Sequence, residues 1–320
     1  MDLGRMLDKC RRDQWSVDDL DWSRPPPRLP ADKEEAVVQY FTDMSGIERL
    51  AGALFAVQAR KATDPTLRAI FESFVVDEER HAVAAERLAR YYDVQHLRPY
   101  AMSEALVRFR PQFEGVVELM GPDIANGYIT AGELLLDVAL LRSLDDYVGD
   151  AMSHQAMELI NRDESRHIAI DFHMTEVYAS DEYLEAKRRG PQPSLAARVR
   201  GAAALAQLMW YAKPFLEQVF LAPMDRTDPS GRRLREAFKR MQLVSRKPTV
   251  ARLPFIRFMH RVQDLFNHPV AGRVLGPLLL RIAGGDARAI GRQFSDAELV
   301  RARGMSFDEL ADEALAAKQA

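Results

Sequence analysis

The sequence predicts an all-α protein built on a four-helix bundle, and three observations predict it. Helix formers, Ala, Leu, Arg and Glu above all, dominate the 320 residues, and no stretch sustains strand-like alternation. Apolar residues recur at helical spacing through two long segments, each broken near its middle. The pattern Asp-Glu-x-Arg-His occurs twice, each time inside a helical segment and about thirty residues after a glutamate.

Residues 1–31 contain Trp15, Trp22 and Pro25-Pro26-Pro27. The proline run cannot be helix interior, so this segment reads as an irregular N-terminal arm anchored by its tryptophans. From Asp32 to about Ala62, Val37, Phe41, Met44, Ile47, Ala51 and Phe55 share one helical face. Asp64-Pro65 then supplies an N-cap and a proline at the first helical position, opening a second helix that runs to about Tyr92. A shorter stretch, Ser103–Met120, leads to Gly121-Pro122-Asp123, where the chain breaks and restarts. A third long helix reaches about Leu144, and a fourth spans roughly Tyr147–Tyr178.

The expected organisation is thus an arm over 1–31, a bundle over 32–185 and a helical, basic C-terminal extension over 186–320. In the extension, residues 194–222 form an apolar helix with Leu208, Trp210, Phe215 and Phe220. Residues 230–293 are basic and amphipathic, and 295–317 form a small terminal helix capped by Ser295.

Composition narrows the class. Hydrophobic residues at 47% and charged residues at 28% are ordinary for a soluble globular protein. No segment approaches ~18 uninterrupted apolar residues, which argues against a membrane span. No apolar run follows Met1-Asp2-Leu3-Gly4-Arg5 to suggest a signal peptide. Cys10 is the single cysteine, which excludes an internal disulfide and a thiolate cluster. A reducing, cytoplasmic setting is the default expectation. The net charge of −3 hides an asymmetry, because Gly231 to Arg292 holds 14 Lys and Arg against only Glu236, Asp264 and Asp286.

The repeated pattern carries the chemistry. Its first copy is Asp77-Glu78-Glu79-Arg80-His81, with Glu48 thirty residues before Glu78. Its second is Asp163-Glu164-Ser165-Arg166-His167, with Glu133 thirty-one residues before Glu164. Residues three apart on a helix share a face, so Glu78 with His81, and Glu164 with His167, can bind one metal each. An antiparallel hairpin brings Glu48 level with the first pair and Glu133 level with the second. Two packed hairpins then collect four carboxylates and two imidazoles, a full ligand set for two metal ions. Asp77 and Asp163 could accept the second imidazole N–H of a ligand histidine, with Arg80 and Arg166 offsetting their charge. An oxygen-rich set with imidazole and no thiolate suits iron or manganese better than structural zinc.

On these residues the chain resembles the ferritin-like di-iron carboxylate superfamily, over about 40–180. The Asp-Glu-x-Arg-His form is most similar to the soluble oxygen-activating branch, the monooxygenase hydroxylases and acyl-carrier-protein desaturases, and the chain length and single-component look are similar to those of the arylamine N-oxygenases. The resemblance implies a non-haem di-iron oxygenase or oxidase that uses O2 to hydroxylate, N-oxygenate or desaturate an apolar organic substrate, free or carrier-bound. It implies two iron ions, with a Mn/Fe pair as the variant, and an external electron donor such as a ferredoxin or a flavin reductase. The alternative is a ferroxidase or iron-handling protein. Ala85 stands near where the ribonucleotide reductase small subunit places its radical tyrosine. Ile160 stands where the N-oxygenases carry an additional ligand histidine.

Asp137 and Asp171, each one turn beyond a ligand, are candidates for hydrogen bonding to ligands, proton relay or a seventh ligand. Gly46, Gly52 and Gly132 leave room either for substrate or for close helix packing. For the basic C-terminal region, three readings stay open: part of a homodimer or lid, a docking face for an acidic partner such as acyl carrier protein or a ferredoxin, and a peripheral membrane contact through Phe255, Phe258 and Leu265. No nucleic-acid-binding module is visible, so no nucleic acid partner is expected.

Overall fold

A computed structural model describes residues 1–191, 194–283 and 287–318; Asp286 lies outside the described residues. The fold is all-α, with no strand among the described residues. Its first seven helices are α1 Leu3–Arg12, α2 Ala31–Lys61, α3 Pro65–Tyr92, α4 Glu104–Val117, α5 Pro122–Glu133, α6 Arg142–Val148 and α7 Ala151–Tyr178. The segment Leu134–Leu141 between α5 and α6 is a π-helix, so Pro122–Val148 runs as one rod.

Local chemistry explains the boundaries. The Asp64 carboxylate accepts the Leu67 N–H at 2.8 Å, and Pro65 fills the first helical position of α3. Asp150 caps α7 by accepting from Met152 N, and Gly149 ends α6 in the left-handed conformation at φ 66°. The arm is more ordered than expected. Leu3–Arg12 is helical, because the Asp2 carboxylate caps it from Arg5 N and Lys9, Arg11 and Arg12 occupy its last turn. Its tryptophans do anchor it: Trp22 stacks edge-on against Tyr91 under the Arg87 guanidinium, and Trp15 is buried.

The long helices pack as two hairpins. α2 lies along α3, the rod from α5 packs on α7, and α2 with α5 and α3 with α7 close the contact between hairpins. Glu48 lies thirteen residues before Lys61 at the end of α2, and Glu78 thirteen after Pro65 at the start of α3. At about 1.5 Å per residue, both glutamates sit roughly 20 Å from the turn, which sets them level. In the second hairpin the rod is longer on the Glu133 side. The π turn takes up the surplus, since i→i+5 bonding winds more residues into each turn.

Pro122–Val148 is long and apolar enough by composition to cross a membrane, yet 67% of its most apolar window is buried inside the protein. It also carries Glu133 and Asp137 inward. Here it serves as a core helix.

Beyond α7 come α8 Asp181–Arg189, α9 Leu195–Phe215, α10 Ala222–Thr227, α11 Arg232–Ser245, α12 Pro248–Ala251, α13 Pro254–Asn267, α14 Ala271–Ala283, α15 Ala287–Ile290, α16 Asp296–Gly304 and α17 Phe307–Ala317. α9 lies on α4, while α11 packs on the π segment and α17 on α7. The extension therefore wraps back onto the helices that carry the acidic residues. The expected single terminal helix is two, because Ser306 with Glu309 makes a second capping box that repeats Ser295 with Glu298.

Candidate metal centre

Each long helix delivers its acidic or imidazole groups to one buried point. Glu48 comes from α2, Glu78 and His81 from α3, Glu133 from the end of α5, and Glu164 and His167 from α7. All six are at most 2% exposed. They form two overlapping groups, Glu48, Glu78, His81 and Glu164 in one, and Glu78, Glu133, Glu164 and His167 in the other. Within each group the candidate ligand atoms lie within 4.8 Å of one another. Glu78 and Glu164 belong to both groups, so the i,i+3 pairs supply the carboxylates shared between two positions.

The atoms fit a cation at each position. Both oxygens of Glu48 and one of Glu133 are buried without a hydrogen-bond partner, while Nδ1 of His81 and of His167 meet Glu164 and Glu78 at 3.1 Å. Leaving carboxylate oxygens unpaired in a dry interior costs several kcal/mol, which a bound metal would offset. Burial pushes Glu48 and Glu133 well above the usual carboxylate range, helped by neighbouring Glu78 and Glu164 for the first and by Glu164 for the second. Burial opposes charge on Glu164 as well, but His167 beside it holds that carboxylate well below the usual range. Four glutamates supply four negative charges, the number that two divalent cations neutralise.

A salt-bridged layer lies behind the imidazoles. His81 Nε2 is 3.2 Å from Asp163 Oδ2, which leaves Nδ1 facing Glu164 at 3.1 Å. His167 Nε2 approaches Asp77 Oδ2 at 3.6 Å, with its Nδ1 3.1 Å from Glu78 and 3.0 Å from Glu164. The aspartate of each motif thus serves the histidine of the other. Arg166 donates to Asp77 at 3.0 Å and to Asp163 at 2.7 Å, and Arg80 donates to the same two carboxylates at 2.8 and 3.3 Å. Such outer partners fix the tautomer and orientation of ligand histidines.

The arm completes this layer in a way the sequence did not indicate. Trp15 Nε1 donates to Asp163 Oδ2 at 2.6 Å, and the indole stacks near the His81 ring. Gln14 bonds Asp77 at 3.3 Å and accepts from Arg80.

Asp137 and Asp171 are both fully buried. Asp137, in the π segment, pairs with Lys318 just beyond α17. Burial raises the Asp137 carboxyl to about 6 against the lowering effect of the ammonium. Lys318 also donates to Asn161 O at 3.0 Å. No sequence signal pointed to this lysine, since it stands in an alanine-rich end with no motif around it. Both Asp171 oxygens are buried without a partner, and burial raises its carboxyl well above the ordinary range.

Of the glycines, Gly46 and Gly52 serve close packing. A Cβ on Gly46 would meet Leu106 at 2.8 Å, and one on Gly52 would meet the Glu78 Cβ at 3.3 Å. Gly132 has nothing within 4 Å of such an atom. The apolar residues beside the centre are packed against it: the Phe74 and Phe55 rings lie 4.2 and 5.0 Å from that of His167. Tyr92 is occupied structurally, donating to Asp150 at 2.9 Å and accepting from Ser153 N at 3.0 Å. His154 pairs with Asp145 and His260 with Ser245, away from the six.

Two helical pairs of acid and imidazole, buried with unsatisfied oxygens, make a group that could hold metal. Compared with known proteins, the chain matches no family model and no curated protein sequence.

Proposed function

We propose that the chain is a ferritin-like four-helix-bundle protein that holds two iron ions and uses O2 to oxidise an apolar organic substrate. The observation that carries this reading is the sharing of Glu78 and Glu164 between two buried carboxylate–histidine groups. A site for one ion would not need both groups, and a structural zinc site would favour thiolates. Bound as a reduced pair, iron supplies the two-electron activation of O2.

The chain's own residues do the rest. Glu48 with His81 would hold one ion and Glu133 with His167 the other, with Glu78 and Glu164 available to both. Asp163 and Asp77 fix the imidazoles, and Arg80 and Arg166 keep that layer neutral. Phe55, Phe71 and Phe74 exclude water on the His167 side. Asp171, whose carboxyl burial raises well above the ordinary range, would relay a proton one turn from His167. Reducing equivalents come from an external donor such as a ferredoxin or a flavin reductase.

Metal analysis of the purified protein, followed by anaerobic Fe(II) titration and O2 exposure, tests the reading. Uptake should end at two irons per chain, and O2 should be consumed after reduction. Retained zinc with no O2 reactivity would overturn it. Metal analysis of the protein as purified, repeated after loading with Mn(II) and Fe(II) offered together, decides between Fe/Fe and Mn/Fe.

Two observations favour a second reading, a ferroxidase. The phenylalanines pack directly on His167. The two surface concavities described, one lined by Met1, Arg5 and Asp308 and one by Glu104, Trp210 and Pro214, touch none of the six groups. Aerobic turnover of Fe(II), unchanged by any organic compound, would support this reading instead.

A further inference from the structure

The hairpin of α13 and α14 presents an apolar face that the other described residues leave open. On α13, Phe255, Phe258, Met259 and Val262 recur at i, i+3, i+4 and i+7, the stripe of an amphipathic helix. Phe255 and Phe258 are 62% and 59% exposed, and Val270 and Val274 at the start of the second arm are 68% and 72% exposed. Gln263 is the residue that α13 buries and Ile256 packs on the core, while Phe255, Phe258 and Met259 point away from the protein. The turn is tight: a Cβ on Gly272 would overlap the Phe266 carbonyl oxygen, and the Phe266 ring lies in contact with Gly276.

Charge says what covers this face. Arg257, Arg261 and Arg273 are exposed and, among the described residues, form no ion pair. Asp264, the acidic residue of α13, is spent on Arg246 at 3.1 Å. At 3.6 residues per turn Arg261 flanks Phe258 and Arg257 lies one turn before Arg261, where long stems can keep their charges in water while the rings go deeper. Paired exposed phenylalanines beside uncompensated arginines match an interfacial helix on an anionic surface. A second copy of this chain would set like charges against each other in a two-fold contact. An acidic protein partner would account for the arginines but not for two rings left in water.

We propose that the α13–α14 hairpin docks the protein onto an anionic lipid bilayer, with Phe255 and Phe258 inserted at the headgroup boundary and Arg257, Arg261 and Arg273 on the lipid phosphates and carboxylates.

Co-sedimentation of the full chain with phosphatidylcholine vesicles, with and without phosphatidylserine, tests this. Wild type should pellet with the phosphatidylserine vesicles alone, and added salt should release it. Each arginine near such a surface contributes roughly a fivefold gain, so Arg257→Glu/Arg261→Glu/Arg273→Glu should weaken binding by about a hundredfold or more. Phe255→Ser/Phe258→Ser should weaken it at least tenfold with the charges intact. Both variants alter exposed residues, and helical circular dichroism with unchanged metal uptake would confirm their folding. Failure of wild type to bind phosphatidylserine vesicles, or equal binding by the folded variants, would overturn the proposal. So would concentration-dependent dimerisation that the Phe255→Ser/Phe258→Ser variant abolishes in the absence of vesicles.

Discussion

Asp163, which belongs to the motif on α7, holds the imidazole of His81 on α3 at 3.2 Å. The exchange couples the two halves: each motif's aspartate lies behind the other motif's histidine, and the two arginines bridge both aspartates. Asp163→Asn keeps the shape and removes the charge. Outer partners of ligand histidines are typically worth about 10–100-fold in metal affinity. In a chelator competition, Asp163→Asn should therefore weaken the ion held by Glu48 and His81 first, and Asp77→Asn the ion held by Glu133 and His167. Identical loss of both ions in both variants would contradict the crossed arrangement.

The buried groups give a pH dependence whose sign can be worked out. Burial works against charge on His81 and His167, but Asp163 and Glu164 beside the first and Glu164 and Asp77 beside the second raise them well above 6.5. Such histidines stabilise the fold fully below their unfolded value and lose that contribution as pH rises through the folded one. Glu48 and Glu133 are also raised, from 4.5, so the unfolded chain releases its protons first and stability again falls as pH climbs. Above about pH 6.5 both effects run the same way. The metal-free protein should melt at progressively lower temperature from there upward. Metal displaces the same protons, so the loaded protein should be spared and the gap should widen. Parallel melting curves with and without metal would count against the assignment.

Lys318 and Asp137 make a second test. Both are nearly inaccessible, with side-chain exposures of 6% and 0%. Removing one member of a buried pair strands the other, at a cost of about 3 kcal/mol or more. Lys318→Met should show that loss in urea unfolding, growing as pH rises above about 6, where the Asp137 carboxyl ionises. Lys318→Met/Asp137→Leu should recover most of it. If Lys318→Met unfolds at the wild-type midpoint, the pair does not form.

Gly52 separates stability from site geometry. Alanine there gains up to about 1 kcal/mol of helix propensity, yet its Cβ would press the Glu78 Cβ from 3.3 Å. Global stability should move by less than about 1 kcal/mol, while metal uptake weakens measurably. At Gly46 a Cβ meets the Leu106 methyl and the Met102 sulfur at 2.8 and 2.9 Å, ends of flexible side chains that can shift, so Gly46→Ala should cost no more than about 1 kcal/mol. Unchanged uptake in Gly52→Ala would show that Glu78 tolerates the push.

The helical class, the four long helices and the six candidate ligands were legible in one dimension because their signals are local or periodic. Asp64-Pro65 caps a helix wherever it stands, and Glu-x-x-His shares a helix face by the pitch alone. The level meeting of Glu48 with Glu78 follows from equal arm lengths around a short turn. Other features depend on contacts between distant segments. Trp15 reaches Asp163 across 148 positions and Lys318 reaches Asn161 across 157, and no pattern in either stretch encodes its partner. The π turn after Glu133 is likewise invisible in Leu-Leu-Leu-Asp-Val-Ala-Leu-Leu, because its extra residue is fixed by packing against α7 and α11. Chain chemistry thus determined which groups stand on which helix, and the packed fold decided which aspartate supports which histidine, because that choice depends on how two hairpins meet.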